Sequence, residues 1–194
     1  MNIRRSHKLV TVSNALSFLR LFLAPVVVAA LIYQHWMAAF LLFVVASITD
    51  LLDGYFARRL HEQTVLGHYL DPIADKVLLL SSFSALTYIH FASLALPVWF
   101  LVMVLMREVV IVGGGVLILL SGKQIKMEPS LLGKVTTASY MALIMWIFVC
   151  RFLGWLPCKT FFAVVCIVAA LSCVSLFHYC TRAFWAIKLL HTRS

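Results

Sequence analysis

Apolar runs separated by short polar breaks set the layout of this chain. They cover roughly 13 to 33, 37 to 57, 70 to 89, 95 to 120, 131 to 150 and 160 to 187. As helices rising about 1.5 Å per residue, runs of about twenty residues cross a hydrocarbon layer about 30 Å thick. Six such runs in 194 residues leave only short loops. The pattern predicts an all-α integral membrane protein with six transmembrane helices, forming a single domain over residues 1–194 in which 1–11 is a basic interfacial segment.

Composition agrees with lipid as the main solvent: 63% of residues are hydrophobic and 12% charged, with a mean hydropathy of +1.02. The net charge of +9 fits either nucleic acid or anionic headgroups. Because the basic residues flank the apolar runs, membrane lipids are the expected partner and nucleic acid is not. With the N-terminus inside, Arg4, Arg5, Lys8, Arg58, Arg59, Lys123, Lys126, Arg182, Lys188 and Arg193 fall at or near the cytoplasmic face, leaving Arg151 and Lys159 outside. Arg4 and Arg5 do not read as an export signal, since no small-residue cleavage site follows them.

Cysteine and histidine add little. Cys166, Cys173 and Cys180 recur every seven residues on the last run, and Cys150 and Cys158 flank the loop before it. An odd count, mostly within apolar helix, predicts buried free thiols and no disulfide framework. The histidines show no ligand spacing, and His61 and His68 read as polar loop residues. Gly113, Gly114 and Gly115 interrupt the fourth run, where small residues permit close helix packing. Pro129 and Ser130 look like a helix start, with Thr136 and Thr137 candidates to face a cavity.

The acidic residues are more telling. There are seven, and Asp50, Asp53, Asp71 and Asp75 share one short apolar stretch. An aspartate at the centre of a membrane span costs roughly 2.5 to 3.5 kcal/mol, and less toward the interface, so four of them call for a role. In a helix ending near Arg59, Asp50 and Asp53 are i and i+3, with Gly54 and Ala57 on the same stripe. In a second helix starting near Tyr69, Asp71 and Asp75 are i and i+4. A turn from Arg58 to Gly67 then brings four carboxylates together. Such a cluster takes up protons or a cation. All-oxygen ligation suits magnesium or manganese, which commonly pair with substrate phosphates. Gly54 and Ala57 leave room beside the carboxylates, and Arg58 suits a phosphate.

The polar skeleton of this stretch, D-x-x-D-G-x-x-A-R, eight residues, then G-x-x-x-D-x-x-x-D, resembles the complete signature of the CDP-alcohol phosphatidyltransferases. These are integral membrane enzymes that transfer a phosphatidyl or related group from a CDP-linked donor to an alcohol. The resemblance implies two divalent cations, magnesium or manganese, held by Asp50, Asp53, Asp71 and Asp75. It places CDP-diacylglycerol against Asp53, Gly54, Ala57, Arg58 and Gly67, and makes Asp75 the candidate general base. It also implies a homodimer, and the Lys and Arg bias puts the active site on the cytoplasmic side, in what is expected to be the bacterial cytoplasmic (inner) membrane.

Arg20, Arg107, Glu108 and Lys134 join the aspartates as charges within or at the ends of apolar runs, and together they suggest a polar cavity open to the cytoplasm. Arg107 either forms a salt bridge with Glu108 or a motif carboxylate, or binds an acceptor phosphate. Lys134 either snorkels at a helix start or does the same. Family members with phosphorylated acceptors resemble this layout, including Gly133-Lys134. The expected acceptor is therefore glycerol 3-phosphate, giving phosphatidylglycerol phosphate and CMP. Phosphatidylglycerol as acceptor, in a cardiolipin synthase, is the alternative within the family, and a divalent-cation transporter is the alternative from another class.

The Lys and Arg bias makes a topology prediction. Single cysteines introduced near Glu62 should react with a membrane-impermeant thiol reagent from the cytoplasmic side, and those near Gly154 from the outside. Reversed labelling would overturn the orientation.

Overall fold

The computed structural model describes the backbone over residues 12–60, 65–89, 95–120, 131–154 and 158–191, and side chains over 15–49, 73–89, 95–114, 131–154 and 158–182. Six helices account for the described secondary structure: α1 Val12–Ile32, α2 Trp36–Leu60, α3 Val65–Tyr88, α4 Val98–Leu120, α5 Leu131–Leu153 and α6 Cys158–His191. They fall into two compact units, Met1–His90 and Phe91–Ser194. Among the described residues, three windows are long and apolar enough to cross a membrane: Ala15–Ile32, Leu131–Leu153 and Cys158–Arg182. A shorter apolar helix segment covers Trp36–Thr49.

In the first unit α1 packs against both α2 and α3. One stripe of α1, Ser17, Arg20, Ala24, Val27 and Leu31, is buried at spacings of three and four, as one face of a 3.6-residue helix requires. Small residues at buried positions, Ala24 on α1, Ala39 and Ala46 on α2, and Ala74 on α3, let backbones approach, while Phe43 and Phe83 fill the space between. The opposite faces carry large apolar groups outward, including Phe18 and Phe22 on α1 and Leu41 and Val45 on α2. Arginine and serine inside with phenylalanine outside reverses the order of a water-soluble core and suits a lipid surround.

Hydroxyl-rich α3 is compatible with that surround because several of its hydroxyls bond to their own helix, although the buried Ser82 Oγ has no partner among the described residues. Ser84 and Thr87 each donate to the carbonyl four residues back, both at 2.8 Å, and Ser81 donates to Leu78 at 3.1 Å. Pro25 lies within α1 without interrupting it and points outward. The turn from α1 to α2 is a Schellman closure: His35 N donates to Ala30 O at 2.8 Å and Gln34 N to Leu31 O at 2.9 Å. Gln34 occupies the left-handed position, at φ 60°, and its side-chain oxygen accepts from Trp36 Nε1 at 3.0 Å.

In the second unit α6 packs against α4 and α5. Phe100 on α4 meets the Tyr140 ring of α5 edge-on, with centroids 6.3 Å apart. Gly114 opens α4 to α6: Tyr179 donates to Ile111 O at 3.1 Å, and a Cβ at Gly114 would lie 2.9 Å from the Tyr179 hydroxyl. Gly113 meets nothing within 4 Å, and the side of Gly115 lies outside the described residues. The close packing expected of the glycine run is therefore seen at Gly114.

Two expectations need correction. Helix α3 begins at Val65 rather than near Tyr69, so Gly67 lies within a helix and so does Arg58, near the end of α2. A glycine inside a helix costs about 1 kcal/mol, too little by itself to end one. The thiols are all free, but only Cys150 is buried; Cys158, Cys166, Cys173 and Cys180 are exposed. A seven-residue repeat marks one face of a helix, and here that face is exposed, although Cys173 Sγ lies 3.8 Å from Met103 Sδ on α4. The remaining run boundaries differ from the helices at their ends, since hydropathy follows apolar content and the helices continue into polar segments. At α4 the start moves to Val98 because Pro97 O accepts the first backbone bond, from Phe100 N at 3.0 Å.

Glycine substitutions separate conformation from space. Gly154 is left-handed, at φ 61°, with nothing within 4 Å of an added Cβ, so Gly154→Ala should destabilise by about 1 kcal/mol through the backbone alone. Gly113→Ala, equally unhindered but helical, should stabilise by up to about 1 kcal/mol. Gly114→Ala should destabilise by displacing Tyr179. Thermal unfolding midpoints in detergent check all three signs.

Candidate active site

The signature residues sit on two helices. Asp50, Asp53, Gly54, Ala57 and Arg58 lie in the C-terminal half of α2, and Gly67, Asp71 and Asp75 in the N-terminal half of α3. The expected spacings, i and i+3 on the first helix and i and i+4 on the second, are thus helical. Of the eight, Asp75 has a described side chain; the side chains of the others lie outside the described residues, as do His61 and residues 1–11.

Asp75 is partnered across helices. Its Oδ1 accepts from Nη1 of Arg20 on α1 in a salt bridge. The Arg20 side chain is 1% exposed and that of Asp75 is 32% exposed, so a buried cation holds a carboxylate that remains accessible. Sequence reasoning placed Arg20 among the charges of a polar cavity but did not pair it with Asp75. The signal was the presence of arginine within the apolar run that forms α1.

Arg107 on α4 is buried in the second unit. Its Nη1 donates to Glu108 Oε1 in a salt bridge, and its Nη2 reaches Ser175 Oγ on α6 at 3.4 Å. The guanidinium carbon stands 5.5 Å from the Tyr140 ring centroid, a cation–π arrangement. The Tyr140 hydroxyl shares a 2.6 Å hydrogen bond with Ser172 Oγ, which itself donates to Val168 O at 2.8 Å. Among the described residues Arg107 Nε has no hydrogen-bond partner. The salt bridge expected as one reading of Arg107 is therefore present, and a donor remains for a further acceptor. Tyr140, Ser172 and Ser175 were missed from sequence because single hydroxyls on apolar helices carry no spacing signal.

Lys134 is exposed in the first turn of α5, as a snorkelling residue or an anion ligand would be. Beside it, Thr136 donates to Leu132 O at 2.7 Å and Thr137 to Gly133 O at 3.1 Å, so both hydroxyls are engaged in their own helix. No group of three or more potential metal ligands occurs among the described residues. The donor set of the signature, four carboxylates, suits hard divalent cations.

The chain belongs to the CDP-alcohol phosphatidyltransferase family, whose pattern matches residues 10–187. It is therefore a transferase of phospholipid biosynthesis, and membership selects that class over a cation transporter. It is 34% identical to the CDP-diacylglycerol-glycerol-3-phosphate 3-phosphatidyltransferase of Aquifex aeolicus over 126 residues, 65% of this chain and 68% of that protein. The Bacillus subtilis protein of the same name is 35% identical over 101 residues, 52% of this chain and 49% of its own. The human cardiolipin synthase (CMP-forming) is 37% identical over 103 residues, 53% of this chain and 33% of its own. The matched segment thus spans from about two thirds to one third of these relatives.

The buried pair on α4 makes a stability prediction. Glu108→Gln removes the carboxylate from a buried arginine and should cost about 3 kcal/mol, whereas Ser175→Ala loses a long bond and should cost under about 1 kcal/mol. Equal unfolding midpoints for the two variants would contradict the assignment.

Proposed function

We propose that this protein transfers the phosphatidyl group of CDP-diacylglycerol to glycerol 3-phosphate, giving phosphatidylglycerol phosphate and CMP. The complete aspartate signature on α2 and α3, in a chain of this family, carries the reading. The names of the Aquifex and Bacillus relatives support the acceptor. The similarity to cardiolipin synthases favours a second reading, with phosphatidylglycerol as the alcohol.

Asp50, Asp53, Asp71 and Asp75 would hold two divalent cations, magnesium or manganese, whose chemistry is to neutralise the diphosphate and the charge developing on departing CMP. Asp53, Gly54, Ala57, Arg58 and Gly67 bind the cytidine diphosphate portion of the donor. Asp75 accepts the proton of the acceptor hydroxyl as its oxygen attacks the phosphatidyl phosphorus; the new P–O bond forms as the bond to CMP breaks, and CMP leaves with that electron pair. Arg107 and Lys134 hold the acceptor phosphate. Support for Arg107 comes from its buried, partly unengaged guanidinium, and for Lys134 from its exposure at the start of α5. Six spans around a polar cavity open to the cytoplasm, in the inner membrane of a bacterium and as a homodimer, complete the proposal.

Purified protein with labelled CDP-diacylglycerol and a panel of acceptors tests it: the expected product, by mass, is phosphatidylglycerol phosphate. Formation of cardiolipin from phosphatidylglycerol, with glycerol 3-phosphate ignored, would favour the second reading. Asp50→Asn and Asp71→Asn should abolish transfer without preventing membrane insertion, and near-normal turnover of Asp50→Asn in saturating magnesium would refute the assignment. Arg107→Gln and Lys134→Gln should raise KM for glycerol 3-phosphate about tenfold or more, with KM for CDP-diacylglycerol nearly unchanged.

A further inference from the structure

The signature residues do not include Arg20, yet it is among the largest fully buried side chains of the described residues. A guanidinium on the inner stripe of an apolar helix is costly unless it is paired. Here the pair is Asp75, on the helix that lies against α1. The carboxylate end of this bridge is open, at 32% exposed, and the guanidinium end is closed, at 1%. The contact runs from Nη1 to Oδ1, so an arginine held in place by burial fixes the position of the carboxylate oxygen it engages. An ordinary surface bridge between two mobile chains would have no such effect.

We propose that Arg20 is a positioning residue for the transfer reaction: by engaging Oδ1 of Asp75 from the buried face of α1, it holds that carboxylate in the orientation needed to receive the proton of the attacking hydroxyl. This rests on the proposed role of Asp75 as base. Arg20 makes no contact with substrate in this scheme and acts through Asp75. Its loss leaves donor and acceptor binding in place and slows the chemical step, because a misplaced catalytic group costs rate before it costs affinity.

The test compares full-length wild type, Arg20→Lys and Arg20→Gln in detergent–lipid micelles with CDP-diacylglycerol, glycerol 3-phosphate and magnesium. It reads kcat, both KM values and the thermal unfolding midpoint. Arg20→Gln should lower kcat on the order of 10²-fold, with both KM values within about threefold of wild type. Arg20→Lys retains the charge without the fork and should lower kcat by an intermediate amount, about three- to tenfold, at an unfolding midpoint near that of wild type. Wild-type kcat in Arg20→Gln overturns the proposal, as does a kcat loss that only tracks the unfolded fraction. Should Arg20→Gln fail to fold, Arg20→Lys decides alone: a lowered kcat with unchanged KM values and midpoint supports positioning, and an unchanged kcat overturns it. CMP release by wild type together with an unaffected Arg20→Gln sinks the role of Arg20 only, whereas no release by wild type with any acceptor sinks the proposed function and this inference with it.

Discussion

Burying charge inside a protein whose outer surface is apolar is the constraint on which the rest of this structure depends. A soluble protein places its charges in water and its phenylalanines inside. Here Phe18, Phe22, Phe162 and Phe177 face outward, and Arg20, Arg107 and Glu108 are interior. With little hydrophobic drive between helices in lipid, packing and polar pairing carry more of the work of association. The alanines of the α1 stripe and its neighbours allow close approach, and the Arg20–Asp75 pair fixes how α1 and α3 are placed along each other. About three turns along each helix from that bridge, Leu31 and Leu86 are both buried. A slide of one helix along the other would separate a buried cation from its anion.

Much of this was legible in the chain. The six apolar runs correspond to the six described helices, with shifts of a few residues at their ends, and three windows are long and apolar enough to cross a membrane. The aspartate spacing was legible as well: on a helix, i and i+3 or i and i+4 have a defined geometric meaning before any tertiary contact is known. What could not be read was partnership between helices. Arg20 and Asp75 are separated by two helices' worth of chain, and nothing in either local sequence specifies the other.

The failures follow the same division. A seven-residue cysteine repeat identifies one face of α6, but whether that face meets α4 and α5 or lipid depends on which face packs, and both faces are apolar in a membrane helix. The usual inference from hydrophobicity to burial therefore loses its force, and the thiols proved exposed. The start of α3 was missed because the polar stretch from Arg58 to Gly67 was read as a turn, whereas α3 begins at Val65. In contrast, Arg107–Glu108 was readable as a pair because its members are neighbours in sequence.

That last contrast bears on what the two buried arginines are free to do. The bridge of Arg20 is tertiary: breaking it removes a link between α1 and α3, so exchange for a ligand anion would disturb helix packing. The bridge of Arg107 lies within one helix, between adjacent residues. Its other supports, the Tyr140 ring beneath the guanidinium and the long bond to Ser175, bear on the guanidinium without requiring Glu108 to stay in place. Under the proposed function, an entering phosphate would share or replace the carboxylate at Arg107 while the helices remain where they are. The division of roles proposed for the two arginines follows this energetic difference: the one paired along the chain is proposed to receive substrate, and the one paired across it to orient a catalytic group.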